Sequence, residues 1–300
     1  MDYINELKHK NIGFNIITES DALHIMEKEY SYFRLVEYVN LFQKYKKQEM
    51  RSQVIGVDFS HLYFLSKIDE TFSRIVISEC LDIEQTLKTI LTNYVNRLSD
   101  KEHFIELFLE FDKEYLLKTY TSENIDVIGE KYFANDLTCL KFEQIIDVLQ
   151  FSTLERMICF FYEQYFQKLA LKDFAYIEKH IGYVKKLRNK AAHNHSIIGQ
   201  LHIKSEVKSD SVAAYLGKNG ISNRTLRTNM SKPVVMEFCH LLHLYHLIEP
   251  EYKIENNLGK LEYFLYEYCE KYIEYFENNS ILESTYKFIC SVVEIYRNRK

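Results

Sequence analysis

The chain has 300 residues, 47% of them hydrophobic, and a formal net charge of −5, which is enough for one large or two modest domains around a buried core. Two prolines and eight glycines are too few for the many tight turns of a strand-rich fold, so composition favours long helices. The six cysteines (Cys80, Cys139, Cys159, Cys239, Cys269 and Cys290) show no paired spacing. They give no zinc or redox motif and read as reduced thiols of a cytoplasmic protein. Residues 1–11 are charged and show no secretory leader, and no stretch has the apolar length of a membrane span.

In chain order, residues 20–47 carry a helical pattern broken near Tyr30 and Ser31, and residues 48–58, with Gly56, read as a connection. Asp58 or Ser60 can cap a long helix to about Arg97. Its apolar positions Leu62, Leu65, Ile68, Phe72, Ile75, Ile83 and Leu87 recur at three- and four-residue steps. Further helices are predicted over residues 101–120, 140–149, 153–171 and 173–193, with residues 121–136 irregular. Residues 199–232 break the rhythm and hold three of the glycines. Pro233 opens a helix to Ile248 at its first turn, Pro250 ends it, and closing helices cover residues 258–277 and 280–297.

Charge is unevenly placed. Residues 185–232 contain ten Lys/Arg against two acids, Glu206 and Asp210, a basic stripe on an acidic body that suits a polyanion. It serves equally as a solvated loop.

The most informative segment is Tyr183-Val-Lys-Lys-Leu-Arg-Asn-Lys-Ala-Ala-His-Asn-His195. Upstream, Phe174, Ile177, Ile181, Val184 and Leu187 make one apolar stripe that docks the helix. Asn189 and His193 are four apart and share a face, close enough for the amide to orient the imidazole. Arg188 and His193 are five apart, roughly 140° around an ideal helix. For both to act on one atom, either the helix ends near Ala192 or two chains each supply part of the site. The residue types suit RNA cleavage. A histidine can take a proton from the 2′-OH or give one to the leaving 5′-oxygen, and a fixed guanidinium stabilises the crowded phosphorane.

Arg188-Asn189-x-x-x-His193 resembles the Arg-polar-x(4–6)-His signature of HEPN ribonucleases. Leu187-Arg-Asn-Lys-Ala-Ala-His193 resembles the L-R-N-x-x-A-H element of the Abi (abortive infection, AbiD/AbiF-like) phage-resistance family. Ser31-Tyr-Phe-Arg-Leu-Val-Glu-Tyr38 is similar to that family's Tyr-Arg-Leu segment. Residues 59–91, with Ile68-Asp69 and Ile83-Glu84, are similar to its long central helix. Residues 145–153 are similar to its L-x-F-G-x-L stretch, with Ser152 where glycine is usual. The family often continues A-H-H-x-R-L, and here Ser196 replaces the second arginine.

The likeness spans residues 20–248. It implies an all-α, HEPN-like helical bundle with additional N- and C-terminal helices. The expected boundaries are a motif-bearing domain over residues 1–198, a basic Gly-containing arm or insertion over 199–232, and C-terminal helices over 233–300 on the same bundle. It also implies a metal-independent endoribonuclease without cofactor that leaves 2′,3′-cyclic phosphate ends and acts as an antiphage toxin. Arg188, Asn189 and His193 would be catalytic, in a homodimer with a composite site. Lys185, Lys186, Lys190, His195, Lys218, Arg224 and Arg227 would contact RNA, with room for an antitoxin or non-coding RNA as partner and none for a membrane.

Two other classes compete. A catalytically silent HEPN module would bind RNA or a partner protein only. Residues 211–227, a small-residue helix, a glycine turn and Ile-Ser-x-x-Thr-Leu-Arg, resemble a helix-turn-helix unit of a DNA-binding regulator. His240, His243 and His246 repeat at steps of three, as zinc ligands or, more simply, as the flank of an amphipathic core helix.

Overall fold

The computed structural model describes residues 2–45, 52–54, 56–119, 142–169, 172–206 and 210–299, and among them the fold is almost entirely helical, an all-α class. The helices are α1 (Tyr3–His9), α2 (Glu19–Lys28), α3 (Tyr32–Glu37), α4 (Phe59–Val95), α5 (Lys101–Thr119), α6 (Phe142–Val148) and α7 (Phe151–Leu169). They continue with α8 (Lys172–Ala192), α9 (Ser211–Lys218), α10 (Asn223–Met230), α11 (Pro233–Ile248), α12 (Glu251–Glu262) and α13 (Ser280–Arg297). Two short strand pairs complete them. Ile12–Gly13 lies parallel to Val57–Asp58, and Gln43–Tyr45 antiparallel to Ser52–Val54.

Contacts divide the chain into two compact units, residues 1–80 with 186–300, and residues 81–185. The second unit is held by an aromatic cluster. Phe161 lies 5.2 Å from Phe174 and 5.4 Å from Phe104, and Tyr94 packs edge-on against Phe174. Arg156 closes on the fully buried Asp112 at 2.6 Å. In the first unit the early part of α4 buries Leu62, Leu65 and Ile68. Phe72 stacks on Phe264 and tilts against Phe238 of α11.

Caps set several boundaries as expected. Asp58 accepts from the Ser60 amide at 3.0 Å and starts α4, and Pro233 occupies the first turn of α11. Other boundaries differ. The helical pattern of residues 20–47 gives way after Phe42 to strand Gln43–Tyr45. The helix expected over 258–277 is α12 followed by a π-helical turn, Tyr263–Cys269, and a 3₁₀ stretch, Glu270–Tyr275. There the Tyr286 hydroxyl donates to the Leu265 carbonyl, the kind of side-chain insertion that opens an i→i−4 ladder. Helix α1, capped by Asp2, is too short for periodicity to show. The expected irregular stretch 121–136 and Cys139 lie outside the described residues; the five cysteines within them are free thiols. No helix among the described residues is long and apolar enough to cross a membrane.

The three histidines of α11 are structural. His240 pairs with Asp210 at 2.7 Å, His243 bonds the Tyr296 hydroxyl at 2.7 Å, and the His246 ring donates to the Leu242 carbonyl at 2.8 Å. No group of three His, Cys, Asp or Glu side chains among the described residues could hold a metal. Burial pushes both His243 and His246 down to about 4. Above the ordinary histidine value near 6.5 both rings are neutral, folded or unfolded. Between there and about pH 4 only the unfolded chain takes up the protons, so stability falls as pH falls, by up to about 1.4 kcal/mol per pH unit for each ring. Urea unfolding between pH 7 and pH 5 should show this slope, and H246Q should reduce it by one proton; an unchanged slope in H246Q would remove His246 from the account.

Candidate active site

The apolar stripe of α8 behaves as its spacing predicts. Phe174, Ile177, Ile181, Val184 and Leu187 are each at most 1% exposed, which fixes the rotation of the helix. Arg188, Asn189 and Lys190 then fall at its half-buried edge, and residues 192–195 are exposed.

The helix ends at Ala192, one of the two arrangements that the spacing of Arg188 and His193 allowed. The His195 amide reaches back to the Lys190 carbonyl at 2.9 Å and the Asn194 amide to the Ala191 carbonyl at 3.2 Å. Asn194 takes a left-handed conformation with φ 57°. This is a Schellman closure with Asn where Gly is commonest. His193 is thereby the residue at which the chain leaves the helix, and its ring stands 6.4 Å from that of His195.

A buried polar cluster holds the turn in place. Asp69 of α4 is fully buried. Its carboxylate accepts from the Tyr38 hydroxyl at 2.8 Å, the Ser196 hydroxyl at 2.7 Å, and the amides of Ile197 and Ile198 at 3.2 and 3.1 Å. Arg34 of α3 lies 4.0 Å from Asp69 and donates to both the backbone carbonyl and the side-chain oxygen of Asn194. Glu37 accepts the Ser196 amide at 3.2 Å. Burial raises the Asp69 carboxyl above the usual carboxylate range, opposed by the bonds from Ser196, Tyr38 and Ile198 and by the Arg34 charge. Ser196 is itself fully buried and accepts the Gly199 amide at 2.7 Å. A Cβ on Gly199 would meet the Ser196 oxygen at 2.5 Å and the Glu37 Cβ at 3.2 Å, so the close approach needs glycine there. The position where the family pattern carries a second arginine is here part of this buried cluster.

The basic residues around the motif divide into two kinds. Lys190 donates to both oxygens of the buried Glu237 at 2.7 and 2.5 Å, and Lys185 pairs with Glu155. Lys186 is exposed. Arg188 makes no ion pair among the described residues; its Nη1 lies 3.4 Å from the Asn189 side-chain oxygen. That amide is therefore paired with the guanidinium, and not with the imidazole of His193 as spacing suggested. Chemically, the arrangement offers a guanidinium without an ion pair among the described residues and two exposed imidazoles at one helix end. Sequence reasoning missed Arg34, Tyr38 and Asp69 as supports of this end, although the motifs containing them were visible. Lys218, Arg224 and Arg227 are exposed on α9 and α10, the helix pair whose outline the helix-turn-helix likeness of residues 211–227 gave and the reading of 199–232 as an arm did not.

Removing the Asp69 carboxylate strands four donors, of which the three buried ones (Tyr38, Ser196 and Ile197) each cost about 1–3 kcal/mol when unsatisfied. D69A should lose about 3 kcal/mol or more in urea unfolding. D69N, which keeps the shape and one accepting oxygen, should lose about 1–2 kcal/mol. Equal losses in the two variants would show that packing, not acceptance, is what Asp69 supplies.

A family model described as Abi-like protein matches residues 26–199, more than half of the chain. No match was found among curated proteins or among solved structures. The matched span contains Arg34, Tyr38, Asp69 and the whole segment from Arg188 to Gly199, the parts that meet in the buried cluster and the turn above it. The chain belongs to the Abi-like family, the abortive-infection proteins of phage defence.

Proposed function

We propose that the protein is a metal-independent endoribonuclease of the HEPN type that serves as an antiphage abortive-infection toxin. The observation that carries this reading is the division of basic groups at the end of α8. Lys185 and Lys190 are neutralised by carboxylates, while Arg188 has none among the described residues and His193 stands exposed beyond the helix end.

In the reaction, one imidazole removes the proton from a ribose 2′-OH, whose oxygen attacks the adjacent phosphorus. A second group protonates the departing 5′-oxygen. The Arg188 guanidinium meets the charge that builds on the non-bridging oxygens, where a preplaced cation acts most strongly. His193 is the first of these groups. The second is His195, 6.4 Å away in the same chain, or His193 of a second copy in a homodimer whose two-fold axis brings two motifs face to face. Asn189 orients Arg188.

R188A and H193A should each abolish cleavage of single-stranded RNA, by at least 10²-fold, with helical content unchanged in circular dichroism. N189A should be milder. Cleavage should persist in EDTA and be lost on a matched DNA strand, which lacks the 2′-OH. H195A separates the two sources of the second proton: a loss near that of H193A assigns it to His195, and an unchanged rate assigns it to the second copy. Full cleavage by a well-folded R188A/H193A double variant would contradict the proposal.

A further inference from the structure

Helices α9 and α10 lie beyond the span matched by the family model and form a helix-turn-helix. Asp210 caps α9 through the amides of Val212 and Ala213, Gly220 takes φ 105° in the turn, and Ser222 caps α10. Residues 211–236 contain no Asp or Glu. Two openings of about 850 Å³ and about 400 Å³ adjoin between α10 and α13, sharing Thr225 and Ser291 in their walls. The first reaches Arg299 beyond the end of α13, and the second is lined by Arg224 and Lys287. Lys287 also pairs with Glu283 at 2.6 Å, but this is an exposed i,i+4 pair, worth little against a phosphate, unlike the buried carboxylate that holds Lys190. Glu294 is the one carboxylate among the described lining residues.

We propose that this groove binds single-stranded RNA, taking the phosphates on Arg224, Lys287 and Arg299 and the sugars on the hydroxyls of Thr225 and Ser291. The proposal deepens the ribonuclease reading, on which it rests for the identity of the polymer. Shape decides between a strand and a duplex. Reading B-DNA requires a helix that protrudes into a major groove about 12 Å wide. Here the face of α10 that carries Arg224 and Thr228 lines a concavity walled by α13, and a concave basic channel suits one strand. Arg227 is exposed on the same helix but lines neither opening. In place of the RNA contact the sequence suggested for it, it gives a single-charge control, whose expected slope change of about 0.7 if it met a phosphate is half that of the double variant.

The test uses the full chain in the H193A background, so that the strand survives, with labelled poly(U) as probe across a salt series. R224A/K287A should weaken binding and lower the log–log salt slope by about 1.4, at about 0.7 for each phosphate that is no longer neutralised. R227A should leave the slope nearly unchanged. S291W, at an exposed position shared by both openings, should weaken binding with no change in charge, provided its thermal unfolding matches the parent. A slope in R224A/K287A no lower than that of R227A would overturn the proposal. So would tighter, sequence-selective binding of duplex DNA that R224A abolishes. A wild-type chain that binds poly(U) through the groove yet cuts no RNA would remove the ribonuclease reading and leave the groove standing. A chain that cuts RNA while R224A/K287A binds it normally would remove the groove alone.

Discussion

A single buried carboxylate organises the end of the motif helix. Asp69 sits where water cannot reach it, a costly position for a charge unless its oxygens are supplied with donors. The donors come from distant parts of the chain: Tyr38, Ser196, and the amides of Ile197 and Ile198. Satisfying them draws the segment after the motif onto α4. The left-handed Asn194 is in turn gripped by Arg34. The turn at His193 is thus fixed by groups that do not themselves face the surface. A loop held only by solvent would let the imidazole wander relative to Arg188, and in the proposed reaction misplacement of a reacting group by about 1 Å would cost about 10²-fold in rate.

Much of this was legible in the sequence. The stripe from Phe174 to Leu187 placed the motif at the edge of α8, and the i→i+5 spacing of Arg188 and His193 left two arrangements open, a helix end near Ala192 or a site shared by two chains; the helix does end at Ala192. Pro233 and Asp58 marked the starts of α11 and α4 because a fixed φ and a capping carboxylate are local signals. What stayed hidden is non-local or short. That Tyr38, Asp69 and Ser196 converge depends on folding across more than 120 residues of chain, and no periodicity reports it. Helices α9 and α10 have eight residues each, less than the window in which a 3.6-residue period can be told from chance, so periodicity missed them and only the helix-turn-helix likeness of residues 211–227 pointed to them. The break after Glu262 depends on a hydroxyl arriving from Tyr286, twenty-one residues away from the carbonyl it bonds.

The ten Lys/Arg residues of the basic stretch also proved unlike one another. Lys232 is buried, donating to Asn229 and Thr285, and burial lowers its ammonium to about 8. Lys190 and Lys185 serve packing through Glu237 and Glu155. Arg188 stands at the motif, and Arg224 at the groove beside α13. A charge count cannot separate these roles, since it is the carboxylate or its absence at each site that decides whether a cation is available to a phosphate.

The central claim is that Arg188 and His193 cut RNA through its own 2′-OH, and the chemistry of the product ends tests it most directly. Mass spectrometry of a defined RNA strand cut by the purified wild-type chain should find 2′,3′-cyclic phosphate on the upstream fragment and a 5′-hydroxyl on the downstream one. A 3′-hydroxyl paired with a 5′-phosphate would mean that water, and not the ribose, attacks the phosphorus, and would contradict the account.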